Sequence, residues 1–219
     1  MESQRLPRYE RILLVRDDRL GDSILTWPAI RTVRTLWPEA HLTALVHPSL
    51  VQLWQTLPDV DEVVACQPGA SARPLVRHLR NGRYDAACLF NTNRRNLWIA
   101  WRAKVPLRVA WAGRWESRLL ANRPVRLRRS HPPIHEADFA GAFVRELAGG
   151  YPLPPRAPVR PVLPSSSRLR ARRWMEAHLF TKGAKPGNVD RPVFIVHPGN
   201  RGSAPNWPIE AYAELARQL

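Results

Sequence analysis

The sequence has no long apolar run, and this limits the kinds of protein it can encode. No stretch approaches the roughly 20 apolar residues that a membrane-spanning helix needs. The opening residues, Met-Glu-Ser-Gln-Arg, contain no apolar core of the kind found in signal peptides. We therefore expect a cytoplasmic protein that is still able to touch a membrane surface.

Cysteine is also scarce. The two cysteines, Cys66 and Cys88, each lie in an apolar, strand-like run. Such residues are more often buried thiols in a reducing compartment than a redox or metal pair, and the histidines lack the spacing of a zinc site. The sequence also has no G-x-S-x-G element and no Gly-Lys-Ser/Thr ending. It therefore predicts no metal site, no hydrolase triad of that type and no P-loop.

Acidic residues are few compared with basic ones. There are 18 acidic and 34 basic residues, which give a net charge of +16, and 31 of the basic residues are arginine. This balance favours polyanionic partners, such as nucleotide sugars, phosphorylated lipids, anionic membranes or nucleic acid. One hypothesis is thus a non-catalytic basic α/β module that binds anionic lipid or nucleic acid. Because the sequence has no helix-turn-helix, zinc finger or RNA-binding aromatic signature, we expect no nucleic-acid partner.

Strand-like and helix-like segments alternate, which predicts an α/β fold built on a parallel sheet. The predicted strands occupy residues 11–16, 41–47, 62–66, 84–91 and 107–111. The predicted helices occupy residues 23–37, 49–57, 72–81, 96–104 and 135–149. Pro28 lies inside the first helical pattern, and we expect it to kink or delay that helix.

A proline-rich stretch divides the chain. Residues 1–150 form the first predicted domain, and residues 151–164, which include six prolines, form a stiff linker. Residues 165–219 begin a second domain, with a strand at 192–197 and a helix at 209–219. A doubly wound domain needs several more strands to complete its sheet. We therefore expect a fragment, a truncated product or half of a split protein.

Asp22 is the first candidate catalytic residue. It lies in the segment Val15-Arg-Asp-Asp-Arg-Leu-Gly-Asp-Ser23, which leaves a strand at its carboxyl end, where α/β proteins bind ligands. A carboxylate there is suited to act as a general base. Asp is also a favoured N-cap residue. Residue type and spacing leave both interpretations open.

Two further segments carry polar groups suited to binding. In His197-Pro-Gly-Asn-Arg-Gly-Ser203, the residues Gly199, Gly202 and Ser203 would let backbone N–H groups approach a diphosphate. An ordinary tight turn is the alternative. The segment 91–96, Asn-Thr-Asn-Arg-Arg-Asn, could bind the hydroxyls or phosphates of an acceptor, or could simply begin a solvated helix. Asp59-Val-Asp61 matches an Asp-x-Asp metal motif but is interpreted as a turn.

The opening of the chain resembles a known family. Arg19-Leu-Gly-Asp-Ser-Ile-Leu-Thr-Trp-Pro-Ala-Ile30 resembles the R-x-G-D-x-x-x-T-x-P-A-L opening of glycosyltransferase family 9, the lipopolysaccharide heptosyltransferases, and is most similar to the heptosyltransferase II type. Segments elsewhere agree with this family, and the resemblance extends over essentially the whole chain. They are Tyr84–Asn96, Arg114–Leu120, His135–Asp138 and His197–Pro208.

The resemblance implies a GT-B fold of two Rossmann-like domains, with the acceptor bound by the first and the nucleotide sugar by the second. It implies inverting, metal-independent transfer of a heptose from ADP-heptose to the lipid A–inner core, without a cofactor and at the cytoplasmic face of the inner membrane. Asp22 matches the family's catalytic base, and Gly199, Gly202 and Ser203 match its donor-phosphate loop. We expect the following residues to bind the acceptor: Arg19, Asn91, Thr92 and Arg95.

One segment departs from the family pattern. Many members carry Lys or Arg shortly before the Trp-Pro pair, whereas this chain has Ala204-Pro-Asn206 there. The resemblance therefore implies no basic side chain for the donor phosphates at this position.

Overall fold

The structure is a computed structural model, and it describes residues 5–127, 135–178, 195–198 and 206–218. The chain divides into two compact units, Met1–Pro164 and Ser165–Leu219.

The first unit is built on six strands that all pair in parallel. The strands are β1 (Arg11–Arg16), β2 (His41–Val46), β3 (Glu62–Ala65), β4 (Ala86–Leu89), β5 (Leu107–Trp111) and β6 (Arg123–Val125). Their order in the sheet is β3-β2-β1-β4-β5-β6. The chain moves outward from β1 in one direction and then returns to the other side of it. The strand order therefore reverses between β1 and β4, and ligands bind at such a point in open α/β sheets.

Helices connect the strands and cover both faces of the sheet. In chain order these helices are α1 (Leu20–Leu36), α2 (Val51–Trp54, after a 3₁₀ turn at Pro48–Leu50), α3 (Ala72–Asn81), α4 (Arg94–Arg102), α5 (Trp115–Leu120) and α6 (Glu136–Leu147). The second unit contains α7 (Ser165–His178) and α8 (Ile209–Gln218). The predicted α/β class and the five predicted strands are confirmed for the first unit.

Three local predictions differ from the structure. Helix α1 begins before Pro28 and continues through it, so Pro28 does not delay the helix, and the Thr32 hydroxyl donates to the Pro28 carbonyl at 3.0 Å. Helix α5 and strand β6 were not predicted, because both are short and Pro124 interrupts the β pattern. Residues 195–197 of the predicted strand at 192–197 have no regular structure, and its other residues lie outside the described part. The described residues of the second unit supply no neighbouring strand for it to pair with.

Two apolar layers enclose the sheet. One layer packs α1 and α6 against it and contains the aromatic rings of Phe90, Phe139 and Phe143. The other layer packs α3 and α4 and contains Leu79, Leu97 and Ile99. The thiols of Cys66 and Cys88 are both buried and unpaired, as predicted, one in each of these layers. Cys88 lies in the layer of α1 and α6, and Cys66 lies in the layer of α3 and α4.

The proline-rich segment packs against the first unit. Gly149 and Gly150 have φ angles of +63° and +85°, which turn the chain after α6. Tyr151, Leu153 and Val159 then pack on the apolar layer under α1 and α6. The Val162 N–H donates to the Thr56 carbonyl at 2.7 Å. Residues 151–164 therefore follow the surface of the sheet domain.

We predict that the packing of α6 depends on Phe143. This ring is fully buried and lies 5.5 Å from the Phe90 ring and 5.3 Å from the Phe139 ring, centroid to centroid. Phe143→Ala should lower the free energy of unfolding by about 3–5 kcal/mol, because it leaves a cavity. Phe143→Leu, the control, should cost less than about half of that. Equal losses in urea unfolding would show that cavity formation does not govern this site.

Candidate active site

A cleft opens at the carboxyl ends of β1, β4 and β5, at the point where the strand order reverses. Its volume is about 150 Å³. It is lined mainly by polar and charged side chains from these strand ends and from the first turns of α1 and α6. The lining residues are Arg16, Asp18, Asp22, Phe90, Asn91, Thr92, Trp111, Arg114 and Glu136.

The buried side chain of Arg16 organises this cleft. Arg16 is the last residue of β1, and only 3% of its surface is exposed. Its guanidinium lies 2.9 Å from an Asp18 oxygen, 3.6 Å from an Asp22 oxygen and 3.2 Å from a Glu136 oxygen. It also donates to the Phe90 carbonyl at 3.2 Å. One cation therefore holds three carboxylates from three parts of the chain.

Asp22 lies in the first turn of α1, inside the cleft. The helix begins at Leu20 with Arg19 as its N-cap, because the Arg19 carbonyl accepts from the Ser23 N–H at 3.0 Å. The interpretation of Asp22 as the N-cap residue is therefore wrong. Its side chain is 39% exposed and faces the Arg16 guanidinium. Asp22 thus combines a fixed position with access to solvent, as a general base requires.

The Asp18 carboxyl is more buried than the Asp22 carboxyl. Burial raises its pKa to about 6, a rise that the Arg16 guanidinium opposes and that the Asp22 carboxylate increases. The Asp18 oxygen and the Arg16 Nε lie close together but are not aligned as a hydrogen bond. The contact is therefore an ion pair with incomplete compensation for burial. The cleft thus holds a carboxyl that gains or loses a proton near pH 6.

Asn91 and Thr92 also line the cleft, but their side chains support the loop after β4. The Asn91 amide donates to an Asp17 oxygen at 2.8 Å. The Thr92 hydroxyl donates to the Leu89 carbonyl at 2.8 Å and accepts from the Trp111 N–H at 3.0 Å. The hydroxyl proton of Thr92 is therefore already used. Both residues stay candidates for contact with a ligand through their remaining acceptor positions.

Arg95 lies apart from the other predicted acceptor residues and does not line the cleft. Its guanidinium lies 2.7 Å from the Cys66 sulfur and donates to the carbonyls of Gln67 and Ala70 at 3.1 and 3.3 Å. These bonds fix the loop that follows β3, which is not among the strands that border the cleft. Arg19 is exposed and is also not part of the cleft lining. The structure therefore brings together Asp22, Asn91 and Thr92, without Arg95.

The remaining predictions concern phosphates and metals. Gly199, Gly202 and Ser203 lie outside the described residues. The two carboxylates of the Asp-x-Asp segment are occupied: Asp59 accepts from Arg31 at 2.9 Å, and Asp61 accepts from Arg34 at 2.6 Å. Within the described ranges, no three side chains of the metal-binding types are close enough together to hold a metal ion.

Comparison with known proteins decides the family. The model of glycosyltransferase family 9 (heptosyltransferase) matches residues 72–219, which is more than half of the chain. The chain belongs to glycosyltransferase family 9. The matched range begins after Asp22, so the family match does not itself test the role of that residue.

Relatives of this family member align with nearly its whole length. A Haemophilus influenzae protein named "Putative glycosyltransferase" is 28% identical over 96% of this chain and 60% of its own length. Lipopolysaccharide heptosyltransferase 2 of Salmonella typhimurium is 26% identical over 95% of this chain and 60% of its own length. The chain therefore spans about 60% of the length of these relatives.

A solved structure shares the fold. The structure of Escherichia coli ADP-heptose LPS heptosyltransferase II superposes with a TM-score of 0.70 at 22% identity, covering 95% of this chain and 60% of that one. This likeness agrees with the predicted fold class. In the part of the chain that the structure describes, no helix is both long and apolar enough to cross a bilayer.

Several residues of this family 9 cleft were not predicted from the sequence. Arg16 was assigned only to a strand, and Asp18 was treated only as part of the turn that follows. Arg114 and Glu136 each lie in a segment that contributed to the family resemblance, yet nothing in their spacing connected them to Asp22. Their signal was position: Arg114 and Glu136 both lie at the start of a helix that begins at the cleft.

We predict that Arg16 holds the carboxylate cluster together. Arg16→Met should lower the free energy of unfolding by about 3–5 kcal/mol, because Asp18, Asp22 and Glu136 lose their shared cation. Arg19→Met removes an exposed arginine three residues away and should change the free energy of unfolding by less than about 0.5 kcal/mol. Urea unfolding measures both. Similar small changes in the two variants would contradict this role of the buried guanidinium.

We predict that Asp18 makes stability depend on pH. Its pKa is raised from 3.8 to about 6 in the folded chain. Between these values the folded state keeps a proton that the unfolded state has released, so stability falls as the pH rises through this window. Between pH 4 and 7, the free energy of unfolding of the unsubstituted chain should fall by up to about 3 kcal/mol relative to that of Asp18→Asn. A constant difference in urea unfolding across these pH values would contradict the raised pKa.

Proposed function

We propose that this chain serves an inverting heptosyltransferase that moves a heptose from ADP-heptose to the lipopolysaccharide inner core, without a metal ion. Family membership supports glycosyl transfer. The names of the Salmonella relative and of the structurally similar E. coli enzyme support heptose, ADP-heptose and lipopolysaccharide as the specific chemistry. The occupied carboxylates of Asp59 and Asp61 make that segment unsuited to hold a metal.

The observation that carries the proposal is the placement of Asp22. Its carboxylate is partly exposed in a cleft at the switch point of the sheet, and Arg16 lies 3.6 Å from one of its oxygens. In the proposed reaction this carboxylate takes the proton from an acceptor hydroxyl. The hydroxyl oxygen then forms a bond to the anomeric carbon of the heptose while the bond from that carbon to the diphosphate breaks. ADP leaves with the electron pair.

The other charged groups of the cleft have supporting roles in this proposal. Arg16 fixes the direction of the Asp22 carboxylate, so that it meets the hydroxyl without reorganisation. Arg114 is exposed at the rim of the cleft and is suited to bind phosphate groups of the inner-core acceptor. Asn91 and Thr92 also line the cleft. Arg19 stays a predicted contact on the exposed side of this helix end.

The domain roles follow from the same reasoning. We propose that residues 1–150 bind the acceptor, that residues 151–164 join the two units, and that residues 165–219 belong to the donor side. The donor phosphates would meet Gly199, Gly202 and Ser203, where the sequence offers a glycine-rich turn before α8. A lipid-linked acceptor places the protein at the cytoplasmic face of the inner membrane.

We predict that Asp22→Asn lowers turnover about a hundredfold or more, because the amide cannot accept the proton. The assay uses ADP-heptose, an inner-core acceptor and the protein as its host makes it. Asp138→Asn is the matched control, because Asp138 is the third residue of α6 as Asp22 is of α1, and it lies outside the cleft.

Both variants should stay folded, because each removes one partly exposed carboxylate and leaves the other partners of Arg16 in place. Turnover should fall only in Asp22→Asn. Unchanged turnover in that variant would overturn the role of Asp22 as the base. Equal losses of turnover in both variants would assign the effect to the fold.

A further inference from the structure

Helices α4 and α5 expose large apolar side chains outside the cleft. On α4, Trp98 and Trp101 are 37% and 46% exposed. On α5, Trp115 and Leu119 are 66% and 71% exposed. The opposite side of α4 is buried through Leu97 and Ile99, so the tryptophans are not needed to pack the helix onto the sheet. Soluble surfaces seldom group large apolar side chains unless the group binds something.

The two helices belong to one layer. They pack against each other, and residues of α4 and Leu120 of α5 share the same apolar cluster on one side of the sheet. Each exposed stripe follows helical spacing: Trp98, Trp101 and Arg102 on α4, and Trp115, Arg118 and Leu119 on α5. These six residues define the α4–α5 face. Neighbouring helices of one layer present their outer stripes to the same side of the molecule.

The charge around this face is strongly positive. Residues 94–120 contain seven basic residues and one acidic residue, Glu116. Arg102 and Arg118 are both exposed. Tryptophan is enriched where proteins meet the headgroup region of a bilayer, and each arginine near an anionic lipid surface contributes attraction. Exposed tryptophan with arginine and almost no carboxylate therefore complements an anionic bilayer.

We propose that the α4–α5 face docks onto the surface of a bilayer that contains anionic lipid. The tryptophans and Leu119 enter the headgroup region, while Arg102 and Arg118 pair with lipid phosphates. Helix α5 begins next to Arg114, which lines the cleft, so docking through α5 places the mouth of the cleft beside the bilayer. This inference rests on the proposed function, because it gives the cleft access to an acceptor that is anchored in lipid.

The test is sedimentation with vesicles, using the whole chain. The vesicles contain phosphatidylcholine with about 30% phosphatidylglycerol in one series, and phosphatidylcholine alone in the other. We expect binding to the anionic vesicles only, weakening as salt rises from low to physiological concentration. Trp115→Ser/Leu119→Ser should lower the partition coefficient about tenfold or more, and Arg102→Gln/Arg118→Gln should lower it similarly and flatten the salt dependence.

The matched controls lie on α7, which is also basic. Trp174 and Leu169 are 57% and 48% exposed there, so Trp174→Ser/Leu169→Ser removes a similar apolar surface. Arg168→Gln/Arg172→Gln removes two exposed charges. Both controls should bind vesicles as the unsubstituted chain does. If the α7 variants lose as much vesicle binding as the α4–α5 variants, nonspecific electrostatic and apolar contacts explain the binding. The assignment of a docking face is then wrong.

Three further measurements complete the test. The far-UV CD spectrum and thermal midpoint of each variant should match those of the unsubstituted chain, and the arginine pair serves if the apolar pair misfolds. A single-stranded oligonucleotide is offered in place of vesicles. If the α4–α5 variants weaken oligonucleotide binding and leave vesicle binding unchanged, the face binds nucleic acid and the proposal is overturned.

The outcome is separable from the proposed activity. Asp22→Asn should bind vesicles normally, because it lies in the cleft. Trp115→Ser/Leu119→Ser should keep its turnover on a water-soluble, delipidated core acceptor and lose it on the lipid-embedded acceptor. Loss on both acceptors, with normal vesicle binding, would show that the face serves catalysis rather than docking.

Discussion

The first unit depends on one buried cation at the end of its central strand. The Arg16 guanidinium lies where a charge is costly, and only partners of opposite charge make that position stable. Asp18 comes from the loop after β1, Asp22 from α1 and Glu136 from α6, while the Phe90 carbonyl comes from the end of β4. These groups must converge on Arg16 if the cation is to be buried. The same convergence forms the floor of the cleft, so the requirement for charge compensation and the position of the candidate base have one cause.

The convergence in turn requires that α6 return to the strand at which the chain began. Glu136 follows Arg16 by 120 residues, and apolar packing must bring it back. Phe139 and Phe143 follow on the same helix, and their rings lie against each other and against Phe90 and Trp111. The aromatic contacts thus set the position of α6, and its first turn delivers the third carboxylate. Helix α6 therefore contributes to both clusters: its first turn carries Glu136, and the next turns carry the phenylalanines. The free energy gained by burying these rings offsets the cost of burying the charged groups.

This division explains what the sequence could predict. Strands and helices depend on local periodicity, so the strands β1 to β5 and the position of Asp22 at the start of the helix after β1 were predicted correctly. The cluster around Arg16 depends on contacts across the chain, for which a single sequence carries no signal. The start of α4 shows a smaller difference. The predicted helix begins at residue 96, whereas α4 begins at Arg94, so Arg95 lies within the first turn and its guanidinium contacts the loop after β3. Asp22 shows the opposite case, because the start of α1 at Leu20 removes the N-cap alternative.

The excess of arginine over lysine has a structural origin as well as a consequence for the surface. Arg34 donates to the carbonyls of Pro38, Ala40 and Asp59 and to the Asp61 carboxylate, and Arg108 donates to the carbonyls of Val105, Pro106 and Leu120. A guanidinium has five donors in a planar fork, so it satisfies several carbonyls at once, which the single ammonium of lysine does less well. Part of the net charge of +16 is therefore used within the fold.

Charge composition alone says little about partners, since internal and external arginines count equally in it. On α4 and α5 the exposed arginines lie beside exposed tryptophans in the unit that contains the cleft, and this placement, rather than the total charge, gives the surface its chemical character.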